Sequence, residues 1–152
     1  MGAAPSHMTS YDADVRDDGG AESLSLLGGD VLIIALFVTA GSLNHGISPL
    51  SEPLAVAETV APFLIGWFVA APLVRGHERG AVATPGRAAR LAAGAWLGAA
   101  NVGLLLRGSP YFTGGTTWPF PLVMTGVGLL SLVSWRVAAG RLLPAGEGEP
   151  GH

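Results

Sequence analysis

The sequence predicts an all-α polytopic membrane protein: four transmembrane helices as two hairpins, with both termini cytoplasmic. Three observations predict it. Of 152 residues, 49% are hydrophobic and only 12% are charged, about half the charged fraction of an ordinary soluble domain. The charged residues fall mostly outside four long apolar runs, and the arginines gather on one side of those runs. This distribution excludes a water-soluble globular enzyme, a wholly disordered chain and a nucleic-acid binder. The expected organisation is an acidic, disordered N-terminal tail over 1–27, one transmembrane domain over 28–140, and a disordered C-terminal tail over 141–152.

The elements follow in order. Residues 1–27 lack the basic start and apolar stretch of a secretory signal. They carry Asp12, Asp14, Asp17, Asp18 and Glu22, and such clustered like charge predicts a solvated tail. Val31 to Ser51 holds no Asp, Glu, Lys or Arg over 21 residues, enough for a bilayer that needs about 20 helical residues; helix 1 is expected over about 30–48. Thr59 to Val74 and Leu91 to Leu106 are clear for only 16 residues each, about 24 Å of helix. Both must therefore extend, to about 55–74 and 88–107, which brings Glu58 and Arg107 inside the boundary. Gly108 to Trp135 is clear for 28, but Gly114, Gly115, Thr116 and Thr117 read as loop, so helix 4 is expected over about 119–138. Soluble core helices do not fit this pattern, because four such runs leave no polar faces for water.

Arginine placement sets the expected orientation. Arg75, Arg79, Arg87 and Arg90 lie between helices 2 and 3, Arg136 and Arg141 end helix 4, and Arg16 lies in the tail, against Arg107 alone on the other side. The positive-inside rule then places the 75–90 connection and both termini in the cytoplasm of a cell-membrane protein. That arginine-rich connection is expected to meet anionic lipid headgroups rather than nucleic acid.

Asp30 opening helix 1, Asn44-His45-Gly46 closing it, Ala61-Pro62-Phe63-Leu64-Ile65-Gly66 in helix 2, Gly103-Leu104-Leu105-Leu106-Arg107 ending helix 3, and Pro119-Phe120 with Ser134-Trp135-Arg136 in helix 4 are short motifs. Their order and spacing resemble the domain of unknown function 3054 family, over about residues 28–140. The resemblance implies a small prokaryotic four-helix membrane protein and brings no activity with it. Ser134 departs from the glycine that the family tends to carry before its final Trp-Arg pair.

Candidate functional residues are few. His45, Glu58 and Arg107 share the non-cytoplasmic rim; Glu58 and Arg107 sit at matching depth, where they could pin helix 2 to helix 3 as an ion pair with His45 as a titratable third member. The plainer reading makes Arg107 a snorkelling anchor and Glu58 a helix-start charge. Asp30, after Gly28-Gly29, reads first as an N-cap and second as a proton-relay group with Arg136 across the bundle. Gly94 and Gly98 form a Gly-x-x-x-Gly element with Asn101 on the same face, a packing surface for helix 1 or for helix 3 of a second copy.

No enzyme constellation is present: no nucleophile elbow, no phosphate loop and no His-Glu-x-x-His pair. Cysteine is absent, and His77-Glu78 lacks a second nearby histidine, so neither a metal nor another cofactor is expected. Two function classes stay open. One is a small permease or channel-like subunit with a polar vestibule at His45, Glu58 and Arg107 and an exit at Asp30. The other is a non-transporting accessory or scaffold subunit in the lipid bilayer, packing as a homo-oligomer or on a membrane partner.

Overall fold

The computed structural model describes residues 7–143, with side chains from Gly20 onward. Four helices follow one another: α1 His7–Asn44, α2 Pro53–Leu73, α3 Pro85–Arg107 and α4 Phe120–Leu142. No strand occurs among the described residues. Helices α2, α3 and α4 have 21, 23 and 23 residues, or about 32–35 Å at 1.5 Å per residue, matching a hydrocarbon layer of about 30 Å. The Gly20–Asn44 part of α1 is likewise long and apolar enough to cross a membrane. The faces that point away from the bundle carry Leu32, Leu36, Phe68, Leu105, Leu122 and Leu130, all exposed. In water such a girdle would be a costly apolar surface; in hydrocarbon it is the expected one.

Local chemistry sets the helix starts. Pro53 occupies the first turn of α2, where its missing N–H costs nothing. Thr84 caps α3, its hydroxyl accepting from the Arg87 N–H at 3.2 Å, with Pro85 next. Helix α3 therefore starts three residues before the expected Ala88. Helix α4 continues past residue 138 because Ala139 is fully buried beside Leu26, Val82 and Ala88. Residues 144–152 of the expected C-terminal tail lie outside the described residues, whereas Arg141 and Leu142 belong to α4.

The largest departure concerns α1, which begins at His7 and not near Asp30. The segment expected to be an irregular tail is helical from His7; residues 1–6 lie outside the described ones. The physical reason is tertiary. Leu26 is fully buried against Val82, Ala88 and Ala139, and the Ser23 hydroxyl donates to the His77 carbonyl at 2.9 Å. Packing on the 74–84 connection holds this helix upstream of the apolar run.

The tightest helix pair is α2 with α3. Gly66 of α2 is seated on the Ala99 carbonyl, an approach that only a residue without a Cβ permits. Gly103 lies against the Phe63 ring, and an added Cβ at Gly98 would stand 3.0 Å from Ala70 Cβ. Gly98 therefore packs on α2, not on α1 or on a second copy. Gly94 is exposed; its Cβ would meet only Val74, at 3.6 Å. The packed side of α3 is the one with Ala95, Trp96, Ala99, Ala100 and Gly103. Between these helices and α1 and α4 lies a core of Ile34, Val38, Phe63, Trp67, Trp96, Met124 and Leu132. Phe37 meets Trp96 edge-on at 5.3 Å, and the Trp96 indole N–H donates to the Thr125 carbonyl at 3.0 Å.

Candidate functional site

The described charges fall into two groups at opposite ends of the bundle. At the 74–84 end, α1 and α4 bring Asp30 and Arg136 together, although 106 positions separate them. Asp30 is fully buried and Arg136 is 1% exposed. Removing two ions from water costs several kcal/mol each, offset only by good geometry. The geometry is good: Arg136 Nε donates to Asp30 Oδ1 at 2.8 Å and Nη2 to Oδ2 at 2.5 Å, a bidentate fork. The remaining Nη1 donates to the Gly76 carbonyl at 2.5 Å, so one guanidinium fastens both α1 and the connection.

The connection turns inward because of how α2 ends. The Gly76 N–H donates to the Ala71 carbonyl at 2.9 Å and the Arg75 N–H to the Pro72 carbonyl at 3.0 Å, with Arg75 at φ 57°. This is a Schellman ending with arginine where glycine is usual. It delivers His77 to the buried pair: Nε2 stands 2.7 Å from Asp30 Oδ2 and 3.0 Å from Arg136 Nη2. A guanidinium only donates and a carboxylate only accepts. Protonated, Nε2 bonds Asp30; unprotonated, it accepts from Arg136. One nitrogen cannot do both, so the position of a proton selects the partner of His77.

Trp67 walls this cluster, its ring edge-on to His77 at 6.2 Å and under the Arg136 guanidinium at 6.0 Å. Among the described residues its buried indole N–H has no hydrogen-bond partner. Trp135, next to Arg136, lies over Gly29 of α1, which needs a residue without a side chain. Asp30 is thus mid-helix and paired rather than an N-cap. Ile34, Phe37 and Val38, which continue inward from it, form a packed and apolar helix side.

At the 108–119 end the expected trio does not assemble. Glu58 is exposed, and its Oε2 accepts from the Thr113 hydroxyl at 2.8 Å. Arg107 Nε donates to the Gly115 carbonyl at 3.1 Å, and the guanidinium lies 4.8 Å from the Phe120 ring centroid. His45 follows α1 in a turn, exposed, and among the described residues only its backbone is bonded, to the Ser42 carbonyl. The ion pair fails because depth along a helix does not fix direction around it: both charges reach for the 108–119 connection. A shallow surface hollow lined by Ser51, Glu52, Pro53, Leu54, Ala55 and Glu58 lies here, and it includes neither His45 nor Arg107.

Asn101 faces away from the α2 contact that holds Gly98. It is exposed on α3, and its amide donates to the Leu97 carbonyl of its own helix at 2.8 Å. The residues missed by sequence reasoning are His77, Trp67, Thr113 and Gly115. His77 carried no sequence signal, because its inward position depends on Arg75 at φ 57°. No metal-binding cluster of His, Cys, Asp or Glu occurs among the described residues.

Four bilayer-length helices with a charged fastening at each end define a small multi-span α-helical protein. Residues 27–139 match the family described as protein of unknown function (DUF3054), and the chain belongs to that family. No curated protein and no solved structure matches the chain. Asp30 and Arg136, the bonded pair, lie near the two ends of the matched region.

Proposed function

We propose that this chain is a non-enzymatic, non-transporting subunit of the cell membrane that packs against itself or a membrane partner, with the 74–84 connection and both termini cytoplasmic. The single observation that carries this reading is the filled interior. Between the two ends, Ile34, Phe63, Trp67, Trp96 and Leu132 are all fully buried in contact with one another, and the charged groups outside this core tie down connections rather than line a passage. Arginine placement supports the orientation, and the apolar girdle supports the bilayer as surrounding medium.

The buried Asp30–His77–Arg136 cluster favours a second reading, a proton-responsive permease subunit, because ionisable groups at membrane depth are costly and usually functional. One experiment separates the two. The full chain in proteoliposomes is expected to dissipate an imposed pH gradient no faster than empty vesicles. A leak that Asp30→Asn abolishes while the fold survives would establish the permease instead. Orientation is checked on intact cells: with no native cysteine, Ala83→Cys is expected to resist a membrane-impermeant maleimide and Thr113→Cys to react.

A further inference from the structure

The side of α3 turned away from the bundle carries Arg90, Gly94, Leu97, Asn101 and Leu105, all exposed. Asn101 is the one residue among these that hydrocarbon does not suit and that cannot reach the headgroups. It lies six residues inside Arg107, about 9 Å along the helix, flanked by Leu97 and Leu105. Its amide has one hydrogen bond, to the Leu97 carbonyl at 2.8 Å; among the described residues, its other N–H and its carbonyl oxygen have none. Lipid tails can satisfy neither group.

We propose that this stripe is the contact surface for a second copy of the chain, with Asn101 facing the same residue across a two-fold axis along the membrane normal. Three points select a second copy as the occupant. A carboxamide is both donor and acceptor, hence its own complement, and asparagines bond across membrane helices in this way. A second copy inserted in the same sense sets the same atoms at the same depth without further design. The spacing of Gly94, Leu97 and Asn101, three and then four, is that of the seam of a left-handed helix pair, in which a single asparagine fixes register. Gly94 then serves close approach to the second copy, since within the chain an added Cβ would meet only Val74. Along the exposed faces of α1, α2 and α4 the one glutamine or asparagine among the described residues is Asn44, the last residue of α1 at the bundle's end, and lipid covers these faces.

This inference deepens the self-packing form of the proposed function and rests on it. The chain has no cysteine, so introduced thiols report contact directly. In native membranes of the full chain, Leu97→Cys and Leu105→Cys are expected to form disulfide dimers on mild oxidation, and Leu130→Cys, on the outward face of α4, is not. Adding Asn101→Leu to Leu97→Cys should lower the cross-linked fraction about tenfold, as loss of interhelical hydrogen bonds predicts, while Asn101→Gln retains it. Equal cross-linking at all three sites, or none at Leu97 and Leu105, or indifference to Asn101→Leu, overturns the inference. A monomer that also conducts nothing sinks this surface and leaves an accessory role with another partner standing. A cross-linked dimer that carries a flux sinks the non-transporting reading and leaves the surface standing.

Discussion

The two ends of the bundle perform one task with opposite means. Each must hold an irregular connection against helices whose sides face lipid. At the 108–119 end, Glu58 clips Thr113 and Arg107 clips Gly115, with one hydrogen bond each from groups that stay partly or largely exposed. At the 74–84 end the fastening is a buried bidentate ion pair whose spare donor holds the Gly76 carbonyl. The difference teaches where a charge matters. An exposed clip can be removed at little cost, because water or headgroups replace the lost bond. Removing one member of the buried pair strands an ion where nothing replaces its partner.

The sharpest way to break this contrast is a cycle on Asp30 and Arg136. Asp30→Ala leaves a buried guanidinium unpaired and is expected to cost about 3–5 kcal/mol, a fall of roughly 10 °C or more in detergent-solubilised melting. The double variant Asp30→Leu with Arg136→Met restores an apolar contact of similar volume, and should recover most of the loss. If the double variant is as unstable as the sum of the singles, the pair is not a coupled unit. The same cycle reads the connection: with Arg136 gone, Gly76 loses its donor, and a protease site placed in 78–83 should become cleavable.

That contrast also explains how much was legible in advance. The four spans were, because hydrocarbon tolerates few charges and so marks a helix by an uninterrupted run such as Val31 to Ser51. Arg136 was identifiable as a partner for Asp30, since few charges fall at that depth. His77 was not, because its inward position depends on Arg75 adopting a left-handed conformation, and sequence marks such turns only when glycine or asparagine occupies them. The rim trio misled for a different reason. Rise per residue gives Glu58 and Arg107 a common depth, but their azimuths are set by α2–α3 packing, and that packing is fixed by Gly66 on the Ala99 carbonyl and Gly98 against Ala70, with Gly94 outside it. The upstream part of α1 was hidden because its helix is held by a Leu26 contact and by the Ser23 hydrogen bond to His77, 54 residues away.

A smaller effect sharpens the comparison from the other end. Glu58→Ala and Arg107→Gln are each expected to cost less than about 1 kcal/mol, and their combination should be close to additive, because the two clips share no atom. Thermal melts of the two singles and the double suffice. A coupling above about 1 kcal/mol would mean that the residues meet after all, and that the vestibule rejected above exists.

The smallest effect isolates the turn that makes the 74–84 end possible. Arg75 holds φ 57°, a conformation that costs a residue with a Cβ about 1 kcal/mol. Its side chain also meets Glu78 at 3.2 Å, but the pair is 76% and 51% exposed, so it contributes little. Arg75→Ala loses that pair and keeps the strain, whereas Arg75→Gly loses the pair and relieves the strain. Gly gives back part of the gain through its freer unfolded chain. The glycine variant should therefore melt above the alanine variant by a stability difference of up to about 1 kcal/mol, and close to the parent protein. If alanine equals or exceeds glycine, the left-handed residue is not what aims His77 inward, and the Asp30–Arg136 pair alone must be drawing the connection into the bundle.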